Sequence, residues 1–154
     1  AVLMRSAAAR ARPVPGAVDT VRAIAEAGVR LGVVSSAVYH PFLEWTLEEF
    51  GVKDVFTAIV TSASAGFYKS RPEIYLHAAE LLTAQPGQMV HVGDSLRFDV
   101  GGASRAGMGT VWLQFPDKPG DGSSFVPDLT VTTLEGSAPG ILGVLAGRLQ
   151  APRS

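Results

Sequence analysis

His91-Val92-Gly93-Asp94-Ser95-Leu96-Arg97-Phe98-Asp99 follows directly on Gln88-Met89-Val90. An apolar run that stops at Gly-Asp reads as a buried strand ending in a turn. A helical pattern begins a few residues later, over about 96–106, and carries a second carboxylate five positions after the first. Asp94 is thereby placed at the carboxyl end of a strand and Asp99 in the opening turn of the next helix. Ligands in open α/β sheets bind outside the carboxyl ends of the strands. Two hard oxygen ligands in such a place point to a divalent cation and a phosphorylated substrate.

Working outward, the same alternation continues on both sides. Thr110 to Leu113 reads as a strand, 114–127 as a polar Gly/Pro loop, Leu129 to Val131 as a short last strand and Ile141 to Leu149 as a terminal helix. Upstream, Val18, Val21, Ile24 and Ala25 recur at helical spacing until Gly28. Leu31-Gly32-Val33-Val34 is a short apolar run ending in Ser35-Ser36, as expected of a buried parallel strand. A helix over 41–50 and a strand over 55–60 follow. Pro72 and Glu73 then open a helix that runs to about Thr83, proline and an acid both suiting a first turn. Residues 1–12 are rich in Ala and Arg and read as the tail of a helix, broken by Pro13-Val14-Pro15-Gly16. Strands alternating with helices imply βαβ units: a mainly parallel sheet with helices on both faces, in one α/β domain.

Composition narrows the function. The 154 residues suffice for one domain with a real core, 47% being hydrophobic and 18% charged. A net charge of -1 provides no electrostatic case for binding nucleic acid or an anionic membrane. The absence of cysteine excludes disulfides, thiolate metal sites and a cysteine nucleophile, and suits a reducing compartment. We therefore expect a cytoplasmic protein. No apolar run approaches a membrane span.

Polar residues stand at three strand ends: Ser35, Lys69 in the loop Gly66-Phe67-Tyr68-Lys69-Ser70-Arg71-Pro72, and the pair Asp94 and Asp99. In a doubly wound sheet these ends converge on one crevice. A hydroxyl and an ammonium suit phosphate oxygens, and carboxylates suit the cation that neutralises charge on a transferring group. Taken singly, each has a structural reading: Ser35 as a strand-end hydroxyl, Lys69 as a solvated loop lysine, Asp94 as a turn residue, Asp99 as a first-turn acid favoured by the helix dipole. Their order between strands is what makes them a constellation. His91 reads as a hydrogen-bonded core histidine, and His40 and His77 are too scattered for a metal triad.

This order resembles the haloacid dehalogenase superfamily of hydrolases, over Pro13 to about Leu149. Leu31-Gly32-Val33-Val34-Ser35-Ser36 is similar to its second motif, a strand ending in a phosphoryl-binding hydroxyl; a one-residue slip would pass that role to Ser36. Lys69 with Pro72 is similar to the third motif, whose lysine steadies the nucleophile and phosphate charges. Gly93-Asp94 with Asp99 is similar to the fourth, which binds magnesium. The Gly-Asp…Asp form is typical of the magnesium-dependent phosphatase branch. The resemblance implies a three-layer α/β/α Rossmann-like core at 13–150 and a short tail at 151–154. It also implies Mg2+ as cofactor and a small phosphorylated metabolite as substrate, phosphoglycolate-like phosphoesters being the family's example. Ser35 and Lys69 would take catalytic roles. A non-catalytic phosphate- or nucleotide-binding regulatory module and a haloacid dehalogenase are the other readings.

The family's first motif, Asp-x-Asp on an apolar strand, is not found. The acids before Ser35 are Asp19 and Glu26, both in a helical pattern, while Asp117, Asp121 and Asp128 follow no suitable strand. Ser36 stands where asparagine is common, and Ser70-Arg71 where Pro-Asp is common. Residues 1–12 fit the last piece of the helical cap that the family inserts ahead of the second motif. The reading is of a sequence lacking the native N-terminal segment, including the nucleophile strand and most of the cap. Two outcomes are expected of the isolated chain. It should not turn over p-nitrophenyl phosphate usefully, so robust turnover would contradict the reading. It should also be marginally stable or association-prone, because the nucleophile strand belongs between the strands ending in Ser35 and Asp94; a sharp two-state melt of a monomer at an ordinary mesophile temperature would count against this.

Overall fold

A computed structural model describes residues 12–36, 40–66, 71–118 and 120–150. The helix tail and cap remnant expected at 1–12 therefore lie outside the described residues except for Arg12, as does the tail at 151–154. The described elements run α1 (Ala17–Glu26), β1 (Leu31–Ser35), α2 (His40–Glu49), β2 (Phe56–Thr61), α3 (Ser62–Ala65), α4 (Pro72–Leu81) and β3 (Val90–Gly93). A π-helical turn (Leu96–Val100), α5 (Gly101–Arg105), β4 (Gly109–Leu113), β5 (Leu129–Val131) and α6 (Ala138–Gln150) complete the order. The α/β alternation read from the sequence is thus the architecture.

Every described ladder is parallel. β1 pairs with β2, and β3 with β4, which pairs in turn with β5. Between β1 and β3 there is no pairing among the described residues, so the strands form a two-stranded and a three-stranded piece. The space between the two pieces is apolar. A cavity of about 330 Å³ is lined by Leu31, Gly32 and Val34 of β1 and by Val90 and Val92 of β3, with Tyr75 from α4. The strands ending in Ser35 and before Asp94 thus stand apart and face each other across an apolar slot.

Helices cover both faces. On one, Ile74, Tyr75, Ala78 and Ala79 of α4 pack with Val60 of β2 and Ala103 of α5, Ile74, Tyr75, Val60 and Ala103 being fully buried. On the other, Ile24 of α1 and Ala138 and Ile141 of α6 pack on Val111 of β4. No helix of the described residues is long and apolar enough to cross a membrane.

Three local departures from the sequence reading have identifiable causes. The four-residue helix α3, not expected, is closed by a reciprocal cap: Thr61 Oγ1 accepts from the Ser64 N–H at 3.1 Å, and the Thr61 N–H donates to Ser64 Oγ at 2.9 Å. The terminal helix begins at Ala138, three residues earlier than its apolar period suggested, because Pro139 is tolerated in a first turn. The helix after Asp94 opens as a π-turn: the Ser95 carbonyl accepts from the N–H groups of both Asp99 and Val100, each at 3.0 Å. Such one-turn widenings are frequent at functional sites.

That turn closes tightly on β3. A Cβ on Gly93 would lie 2.2 Å from Asp99 Cγ, far inside van der Waals contact. Gly93→Ala should therefore displace Asp99 or the strand end and lower stability by about 1–3 kcal/mol. An unchanged urea midpoint would show that the two segments do not approach this closely.

Candidate active site

Parallel pairing aligns the strand ends. Ser35, the last residue of β1, lies opposite Thr61, the last of β2. The loop leaving β2 leads into α4, whose Tyr75 hydroxyl donates to the Phe98 carbonyl at 2.8 Å. Phe98 belongs to the turn leaving β3, so the first turn of α4 and the carboxyl end of β3 sit on the same edge of the molecule. Ser35 thus ends β1 beside the end of β2, with Ser36 next to it, and Asp94 follows the end of β3 directly. Lys69 lies outside the described residues. Ser35 is half-buried, whereas Ser36 is exposed.

The two carboxylates have opposite environments. Asp94 follows β3 directly and is exposed; its carbonyl accepts from the Trp112 indole N–H at 3.0 Å. Its Oδ2 lies 3.7 Å from the Lys118 ammonium. Asp99 is buried, at 2% exposure. Its Oδ1 is 2.9 Å from His91 Nε2, and its Oδ2 accepts from the Ser95 N–H at 3.0 Å. His91 is accordingly the hydrogen-bonded core histidine expected from its flanking residues, with the Tyr75 ring set edge-on at 5.0 Å between centroids. Burial above all, and then the charge of Asp99, push the Tyr75 phenol well above its ordinary value. It stays protonated and keeps its donor role toward Phe98.

Among the described residues no three His, Cys, Asp or Glu side chains gather into a cage that could hold a metal. Magnesium does not require one: it keeps several waters and is bound through one or two carboxylates. Asp94 fits that chemistry, being an exposed carboxylate directly after a strand end. The hydrogen bonds of Asp99 hold the turn that carries Asp94.

A second polar chain borders the β1–β2 end. His40 Nδ1 lies 3.0 Å from Thr61 Oγ1 and His40 Nε2 lies 3.1 Å from Glu44 Oε1. The Thr61 hydroxyl also donates to Ser64 Oγ at 3.2 Å, so the imidazole links the cap of α3 to Glu44. Glu44 in turn meets Lys53 at 3.5 Å. This chain ties the start of α2, just beyond Ser36, to the end of β2. Sequence reasoning passed over it, and over Trp112 and Lys118. The i, i+4 spacing of His40 and Glu44 and the Thr61-x-x-Ser64 cap were legible signals. Nothing in the irregular 114–127 loop marks Lys118.

Comparison with known proteins bears on this geometry. Residues 3–107 match the family model of haloacid dehalogenase-like hydrolases. A glyceraldehyde 3-phosphate phosphatase of Methanopyrus kandleri is 33% identical over 124 residues, covering 78% of this chain and 52% of that protein. The crystal structure of a HAD phosphatase from Thermococcus onnurineus superposes with a TM-score of 0.74 at 32% identity, covering 84% of this chain and 57% of that one. The HAD-hydrolase YfnB of Bacillus subtilis, solved bound to magnesium, shares the fold with a TM-score of 0.73 at 23% identity, covering 83% of this chain and 55% of that one. The chain spans only about half the length of these relatives. With the family pattern matched over most of its residues and the parallel α/β/α layers in place, this chain belongs to the haloacid dehalogenase-like hydrolases.

Proposed function

We propose that the protein to which this chain belongs is a magnesium-dependent phosphatase of small phosphorylated metabolites. The observation that carries the reading is an exposed carboxylate, Asp94, directly after β3 in a chain of the haloacid dehalogenase-like family. A glyceraldehyde 3-phosphate phosphatase among the relatives supports a small phosphoester as the substrate class. The magnesium-bound relative supports the cofactor.

In this reading Asp94 holds Mg2+, with Asp99 contributing as a second carboxylate or through the turn it orders. Bound there, the ion supplies positive charge against the phosphoryl oxygens. Ser35 or its neighbour Ser36 donates a hydroxyl hydrogen bond to the phosphoryl group, and Lys69 balances anionic charge as the phosphoryl moves. The nucleophile is an aspartate supplied from outside this chain, on a strand that would fill the slot between β1 and β3. Its carboxylate attacks phosphorus, the alcohol leaves with a proton, and water cleaves the aspartyl-phosphate to return the carboxylate and inorganic phosphate. The 154 residues alone bind and stabilise without carrying that step.

The test uses the longer protein with its upstream residues. Asp94→Asn should lower kcat/KM for a small phosphoester by about a hundredfold or more and abolish stimulation by Mg2+. Ser35→Ala and Ser36→Ala, made separately, should show which hydroxyl meets the phosphoryl group. Undiminished, chelator-insensitive hydrolysis by the Asp94 variant would overturn the reading. Phosphate binding without hydrolysis by the wild type would favour the regulatory module.

A further inference from the structure

We propose that Lys118 is a tethered counter-ion of Asp94 that competes with the divalent cation for this carboxylate and thereby lowers the affinity of the site. The inference rests on the reading of Asp94 as the cation's ligand. Lys118 Nζ lies 3.7 Å from Asp94 Oδ2 and 5.7 Å from the centre of the Phe115 ring, so the ammonium sits between an anion and an aromatic face. Its backbone is held in a turn closed by the Lys118 N–H on the Phe115 carbonyl at 3.1 Å.

The rest of the loop is fastened to the turn that presents Asp94. The Asp121 carboxylate accepts from the Arg97 N–H and from the Ser123 N–H, each at 3.0 Å, and from the Ser123 hydroxyl. Trp112, at the start of the same connection, donates its indole N–H to the Asp94 carbonyl. Gly120 packs closely enough that a Cβ there would meet Leu96 at 3.2 Å. These ties, on both sides of residue 118, hold its ammonium within reach of Asp94.

A divalent ion and an ammonium on one carboxylate repel each other, so binding of the ion must displace Lys118 and forfeit the ion pair. Both side chains are well exposed, so the penalty is small: removing the ammonium should tighten the site about two- to fivefold. Charge is the cause, so arginine should substitute for lysine.

Binding of Mn2+ alone, followed by loss of the free-ion electron paramagnetic resonance signal, measures this without any turnover. Asp94-dependent affinity is taken as the binding removed by Asp94→Asn in each background. Lys118→Met should raise it about two- to fivefold, or reveal it where the wild type shows none, while Lys118→Arg leaves it as in the wild type. Asp94-dependent binding that is unchanged or weaker in Lys118→Met, or equally tightened in Lys118→Arg, overturns the proposal and leaves the cation site standing. No Asp94-dependent binding in any background overturns both.

Discussion

A carboxylate at 2% exposure is tolerable only when its oxygens are satisfied, and Asp99 meets that condition through His91 and the Ser95 N–H. Leaving such a buried carboxylate short of a hydrogen-bond partner costs about 1–3 kcal/mol or more. The arrangement links three things. His91 lies in β3, Asp99 in the π-turn, and Ser95 between them, so the carboxylate ties the strand to the turn that leaves it. Gly93 leaves room for the carboxylate, and Asp94 is thrown outward to solvent. The geometry of the candidate cation site therefore depends on an interaction made below the surface.

The neighbouring elements reinforce the same turn from other directions. Tyr75 packs its ring on His91 and its hydroxyl on Phe98, joining α4 to the loop after β3. Trp112 and the Asp121 carboxylate reach it from the loop after β4. At the β1–β2 end, the chain from Thr61 through His40 to Glu44 plays a corresponding part. Both ends of the site are braced by hydrogen bonds among elements far apart in sequence, while the middle is the apolar slot between β1 and β3.

Much of this was legible in the residues. Short apolar runs ending in polar residues identified β1, β2 and β3, because buried parallel strands need continuous apolar faces and end where the chain meets solvent. Pro72 and Glu73 marked the start of α4. His91 was legible as a core residue from its flanking valines. The π-turn was not: the pattern over 96–106 has a helical period, and the wider first turn arises from the Ser95 carbonyl taking two donors. The loop at 114–127 carries no periodicity, so the position of Lys118 beside Asp94 follows only from contacts between Trp112, Asp121 and the distant turn.

By itself the sequence determined the parallel α/β alternation, the family, and the order Ser35, Lys69, Asp94 and Asp99, because period, punctuation and motif spacing are local properties of the chain. Only the tertiary structure decided that Asp94 and Asp99, five residues apart, have opposite surroundings. One faces solvent beside an ammonium and the other is locked beneath it by an imidazole. It also decided that β1 and β3 face each other across an apolar slot instead of pairing. Burial and strand adjacency are relations between segments distant along the chain, and no local pattern encodes them.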